Sequence, residues 1–103
     1  MKYKITRTDK AEEQLGEIIF YIADDSGSVD MAINYLDMIE TAINRLKDFP
    51  RSGNPPRYSI LRKQGYLILI MEKHLVFYKT DDGKKTVTIH AVVDGRREYR
   101  NLI

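Results

Sequence analysis

The sequence predicts an α+β domain in the order β-αα-βββ, a helical hairpin packed on a small, mostly antiparallel sheet. Three observations carry that prediction. Two stretches before residue 50 repeat apolar residues at helical spacing, and only a short polar segment joins them. After residue 65 the pattern changes to short runs rich in β-branched and aromatic residues. The breaks between those runs are short and polar, one with Asp-Gly chemistry, as antiparallel hairpins require.

Each element has its own signature. Lys2-Tyr3-Lys4-Ile5-Thr6 alternates and reads as a first strand that pairs with the later sheet. Thr8-Asp9 follows, and Asp9 with Glu12 has the capping-box spacing of a helix start. Ala11, Leu15, Ile18, Ile19 and Ile22 then form one apolar stripe. Asp24-Asp25-Ser26-Gly27 stops that helix, and Ser28 caps the next. In the second helix Ala32, Tyr35, Leu36, Ile39, Ala42, Ile43 and Leu46 keep the 3-4 spacing over about four turns. Pro50 is expected to end it, with Phe49 plugging the seam beneath. Arg51 to Arg57 is a stiff loop with two arginines and two prolines.

The strands are expected at Tyr66–Met71, Leu75–Lys79 and Thr86–Val93. Alternation in the last puts Val87, Ile89, Ala91 and Val93 on one face, and Thr88, His90, Val92 and Asp94 on the other. The first breaks the rule. Leu67, Leu69 and Met71 are apolar on one face, and Tyr66, Ile68 and Ile70 on the other. Such a strand is either covered twice or shows an apolar patch to a partner.

The bulk numbers bound the class. A chain of 103 residues, 43% apolar and 31% charged, is expected to form a single globular domain over residues 1–103. It has no apolar run near ~20 residues and no signal-peptide core at its start, so no membrane span or export is expected. The lack of cysteine suits a cytoplasmic protein, and two isolated histidines do not make a zinc site. No metal and no cofactor is expected. Charge is uneven: residues 1–50 hold 6 Lys/Arg against 10 Asp/Glu, and residues 51–103 hold 11 against 5. That asymmetry suggests that the sheet side meets a polyanion or an acidic partner.

No P-loop, dinucleotide turn, H-E-x-x-H or G-x-S-x-G occurs. Glu13 and Glu17 read as a solvated helix face, and His74 as an incidental turn residue. His90 lies on the open side of the last strand, where it can reach a substrate. Arg96, Arg97 and Arg100 surround Tyr99 in a basic tail that suits a phosphate and a stacked base. Arg51, Arg57, Arg62 and Lys63 extend the same basic rim.

Leu46-Lys47-Asp48-Phe49-Pro50-Arg51-Ser52-Gly53 resembles the L-x-x-F-P-x-x-G segment of RelE/ParE superfamily toxins. Gly65-Tyr66, Leu75-Val76-Phe77-Tyr78, Val87-Thr88-Ile89 and Gly95-Arg96-Arg97-Glu98-Tyr99 continue the resemblance in order over nearly the whole chain. It implies the toxin half of a type II toxin–antitoxin pair, held inactive by an antitoxin. The paired helices and Phe-Pro-x-x-Gly are closer to the ParE branch, which implies inhibition of DNA gyrase. The alternative is a RelE-like endonuclease acting on mRNA at the ribosome without a metal. The resemblance would then give Arg62, Arg96 and Arg97 the phosphate, and His90 or Tyr99 the proton transfer. A third reading is an interaction module without toxicity. Many relatives have arginine after the Gly-Tyr, where this chain has Leu67, and that weakens the nuclease reading. The antitoxin is expected on Leu67, Leu69 and Met71, flanked by Arg96 and Arg97, as an amphipathic, acidic peptide.

Overall fold

The computed structural model describes residues 2–96 and 103. The first strand, β1 (Lys4–Arg7), runs through Thr8 into α1 (Asp9–Ser26). The Thr8 hydroxyl accepts from the Ala11 N–H, so the cap falls one residue before the Asp9–Glu12 spacing. Asp9 and Glu12 instead place negative charge in the first turn, where the helix dipole favours it. Gly27, at φ 70°, ends α1 in the left-handed conformation. Ser28 then accepts from the Met31 N–H and starts α2 (Val29–Asn44).

The α-helix gives way to a 3-10 turn at Arg45–Lys47, well before Pro50. Phe49 is 64% exposed and does not plug the seam. Leu46, fully buried, fills that place instead. A further helix, α3 (Ser59–Lys63), follows the proline loop. It is a single turn, too short to leave a periodicity.

Three strands complete the sheet: β2 (Leu67–Met71), β3 (His74–Asp81) and β4 (Thr86–Asp94). Their order in space is β1-β4-β3-β2. β2 to β4 form an antiparallel meander, and β1 lies parallel to β4, with Ile5 opposite Val87. The helical hairpin is the crossover that a parallel pair requires. β3 begins at His74, so Glu72 and Lys73 alone make the turn, with Glu72 at φ 46°. In the β3–β4 turn the left-handed residue is Lys85, at φ 54°, rather than Gly83.

The register slips between Phe77 and Tyr78: Phe77 faces Ala91, Tyr78 faces Ile89, and His90 is the extra residue. This bulge reverses the sides of β4. Val87, Ile89 and Val92 pack under the helices, while Ala91 and Val93 join a second cluster. The expected grouping of Val87, Ile89, Ala91 and Val93 on one face is therefore corrected. α1 stitches the bulge in place. Thr8 Oγ1 donates to the His90 carbonyl at 3.2 Å, and the buried Val92 N–H donates to Gln14 Oε1 at 2.9 Å.

Both faces of the sheet are covered. The larger core joins Leu15, Ile39, Ile43 and Leu46 to Val76, Tyr78, Val87 and Ile89. Leu61 of α3 meets Ile68, Phe77, Ala91 and Val93 on the other face, with Tyr58, Tyr66 and Ile103 against them. That is why β2 is apolar on both sides. The proline loop also guards the β2 edge, because Asn54 exchanges two 2.8 Å backbone bonds with Ile68. Gly53 makes this approach possible. A Cβ there would stand 2.6 Å from Tyr78 Oη and 2.7 Å from the Ile68 carbonyl oxygen. The Gly53 N–H donates to that same Tyr78 hydroxyl at 2.9 Å.

Candidate functional site

Two places gather side chains that could meet a partner or a substrate. The first is an open cleft of about 970 Å³ between the helical hairpin and one end of the sheet. Ile18, Ile22, Met31, Met38 and Val92 give it apolar walls; Glu17, Asp25, Glu72 and Lys73 stand around it. At one side Tyr35 of α2 reaches the β2–β3 turn. Its hydroxyl donates to the Met71 carbonyl at 3.1 Å and lies 2.7 Å from His74 Nδ1. The hydroxyl has one proton, so with that proton on Met71, Nδ1 of His74 is the donor to Tyr35 Oη. The two rings meet edge to face at 5.5 Å. Burial lowers the His74 pKa and raises that of Tyr35, so both groups are neutral near pH 7. This clasp fixes the cleft between α2 and the sheet.

Arg96 stands at the same end. Its Nε and Nη2 donate to the two Asp94 carboxylate oxygens at 3.1 and 2.9 Å, and its backbone N–H donates to Oδ1 at 2.9 Å. Those bonds hold the Asp94 carboxyl well below the usual carboxylate range. The guanidinium is thus already answered by a carboxylate.

The second place is the sheet face away from α1 and α2. Tyr66 is its centre: the Phe77 ring lies 6.0 Å away, the His90 ring 5.4 Å away at 87°, and Lys79 Nζ 4.4 Å above the tyrosine. Burial lowers the His90 pKa, and the Lys79 charge adds to the effect, leaving a neutral imidazole near pH 7. Such an imidazole has the protonation state of a general base. Arg62, from α3, donates to the Pro56 and Arg57 carbonyls at 2.8 and 2.7 Å and pins the loop.

Of the expected nuclease set, the three described members stand apart. His90 lies with Tyr66 and Lys79, Arg62 ties down the proline loop, and Arg96 stands by the cleft. Among the described residues no hydrogen bond or ring contact joins these three. Arg97 and Tyr99 lie outside the described residues. Of the expected antitoxin set, Leu67, Leu69 and Met71 are half-buried against the larger core on the helix side. They are not an open face: alternation turns them toward α1 and α2, and Ile70, 61% exposed, is the apolar residue that β2 shows to solvent. By the same alternation, position 67 lies on the side opposite His90, so an arginine there would not join that histidine's face. Sequence reasoning passed over Tyr35 as a stripe residue and His74 as a turn residue. They stand 39 positions apart, and only the fold brings them together.

Among the described residues no cluster of His, Asp and Glu is arranged to hold a metal, and no helix is long and apolar enough to cross a membrane.

Residues 5–99 match the family model described as the ParE toxin of the type II toxin–antitoxin system parDE. No curated protein matches the chain in sequence. Among solved structures, the fold is similar to one from the chromosomal ParDE toxin–antitoxin system of P. aeruginosa, with a TM-score of 0.72 and 16% identity, covering 90% of this chain and 96% of that one. It is also similar to one from the RelBE2 toxin–antitoxin complex of Mycobacterium tuberculosis, with a TM-score of 0.62 and 21% identity, covering 91% of this chain and 99% of that one.

Proposed function

Because this chain belongs to the ParE toxin family of type II toxin–antitoxin systems, we propose that it arrests growth when free by binding DNA gyrase, and that a cognate antitoxin holds it inactive in the cytoplasm. The observation that supports the gyrase reading is the engagement of Arg62 and Arg96, the two described arginines of the expected set, away from His90. Cleavage by the expected set would need its guanidinium groups free to meet the phosphate as charge develops, next to the base. Arg62 is tied to loop carbonyls and Arg96 to Asp94, and neither contacts His90. A protein that acts by binding needs no such assembly.

Both similar structures are described as toxin–antitoxin systems. In this chain the antitoxin takes the cleft: its apolar residues lie on Ile18, Ile22, Met31 and Met38, where methionines adapt to the shape presented. Met71 and Arg96, two of the residues expected from the sequence, adjoin this cleft, through Tyr35 and directly. A strand added at Ile70, beyond the Asn54 bridge, extends the contact.

One observation favours the second reading, the ribosome-dependent nuclease: the neutral His90 imidazole beside Tyr66 and Lys79. One experiment decides. Free toxin is induced, new RNA 5′ ends are mapped within minutes, and the purified chain is added to a gyrase supercoiling assay. Loss of supercoiling without new ends supports the gyrase reading. New ends inside translated codons, lost in His90→Ala, overturn it.

A further inference from the structure

The α1–α2 hairpin has a chemistry that its own fold does not use. From residue 11 to residue 44 the sequence has eight carboxylates and not one Lys, Arg or His. Glu12 and Glu40 meet Arg7. Glu13, Glu17, Asp24, Asp25, Asp30 and Asp37 are exposed, and none of them enters an ion pair among the described residues. The same hairpin holds five of the eight large apolar side chains that the described residues leave exposed. Tyr21 and Met31 line the cleft, but Phe20, Val29 and Ile33 do not. Phe20 is 74% exposed, and Asp24 follows it by one helical turn on the same face of α1.

A solvated helix face has charge to spare, but it has no reason to hold out a phenylalanine, a valine and an isoleucine as well. On α1, Glu13, Glu17 and Asp24 lie one or two turns from the exposed Phe20 on its side of the helix, and an exposed aromatic side chain among like charges suits a protein-docking face. The sign of those charges selects the partner. Nucleic acid and anionic lipid are repelled by it. A second copy of this chain would have to offer its basic sheet side, a head-to-tail contact that runs on as a ring or an open chain rather than a simple two-fold dimer.

We propose that the face of the hairpin around Phe20 and Asp24 is where the toxin grips its target, and that the target offers an apolar patch ringed by lysines and arginines. The inference rests on the reading that the toxin acts by binding, and it assigns target and antitoxin to different surfaces.

The test uses the full chain as wild type, Phe20→Gln, Asp24→Lys and the double variant. Phe20 packs on little of its own chain, and a lysine at position 24 suits the last turn of α1, so these changes leave the fold intact. Each protein is assayed for growth arrest, for inhibition of purified gyrase, for antitoxin affinity and for solution mass. The expected result is a loss of potency of about tenfold or more for each change, with antitoxin affinity unchanged. A double variant as potent as wild type overturns the proposal. So does a parallel fall in antitoxin affinity, which gives the face to the antitoxin, or a wild-type oligomer that Asp24→Lys dissociates, which gives it to a second copy. If wild type arrests growth and leaves gyrase active, the gyrase reading fails alone, and the loss of arrest in the variants still decides this proposal. A wild type without either effect overturns both.

Discussion

Tyr78 and Gly53 show how much one missing carbon can carry. The tyrosine is fully buried, yet its hydroxyl has a partner because the glycine lets the loop backbone come within 2.9 Å. Gly53→Ala places a methyl against the hydroxyl and against the Ile68 carbonyl, both of them held by packing. It is expected to cost about 2 kcal/mol or more, read as a lower urea midpoint, and to release the Asn54 bridge at the β2 edge. The two histidines give a second residue-scale prediction. Burial holds the folded pKa of His74 and of His90 below the unfolded value of about 6.5, so the folded chain binds fewer protons near pH 6. Their contribution is complete above about pH 6.5 and is lost as pH falls below it. The urea midpoint is expected to be lower at about pH 5.5 than at about pH 7.5, and His74→Gln with His90→Gln to flatten that difference. A midpoint that rises on acidification would contradict the assignment. Asp94 stays ionised throughout this window because Arg96 holds its pKa down.

The bulge in β4 is where local pattern and tertiary structure part. Beyond Ile89, β4 has no β1 residue beside it, and there Gln14 reaches across from α1 to accept the Val92 N–H. Gln14→Leu removes that acceptor, and the orphaned N–H is expected to cost about 1–3 kcal/mol in thermal or urea unfolding, more than a substitution on an exposed helix face. The helical hairpin, the meander and the placement of β1 in the sheet were all legible, because helical spacing and short polar breaks are local signals. The faces of β4 were not, since a bulge shifts the period by one residue and Val92, Ala91 and Val93 are all apolar. The double cover of β2 was legible only as a puzzle: α3 is one turn long, and it is the element that supplies Leu61 to the second face. His90 falls on the face away from α1 and α2, though half-buried against Tyr66 rather than open, and the Tyr35–His74 clasp had no local signal in either partner.

For the molecule as a whole, the proposed antitoxin cleft and the proposed target face are separate surfaces. The cleft lies on one flank of the hairpin, with Met31 and Met38 on its wall, and Phe20 lies outside it. Met38→Glu is expected to weaken antitoxin binding by about tenfold or more while growth arrest in the absence of antitoxin persists. Competition titration against wild type measures it, and an unchanged affinity would move the antitoxin off the cleft. Arg96→Glu is expected to slow antitoxin association only modestly, because Asp94 already neutralises that guanidinium.

The pairing of β1 with β4 has a consequence for when the toxin comes into being. Ile5 lies against Val87 in parallel register, and Thr8 closes on the backbone of Ile89 and His90. A nascent chain whose β4 is still inside the ribosomal exit tunnel has no partner for β1, and its α1 has no bulge to stitch. The hairpin can form early and locally, but it remains on an open, incomplete sheet. Synthesis therefore delivers an incomplete sheet until β4 has left the tunnel, and the folded form appears only then. The cleft, whose wall includes Val92, Val93 and Asp94 of β4, is likewise not there for any partner to recognise until that strand has joined the sheet.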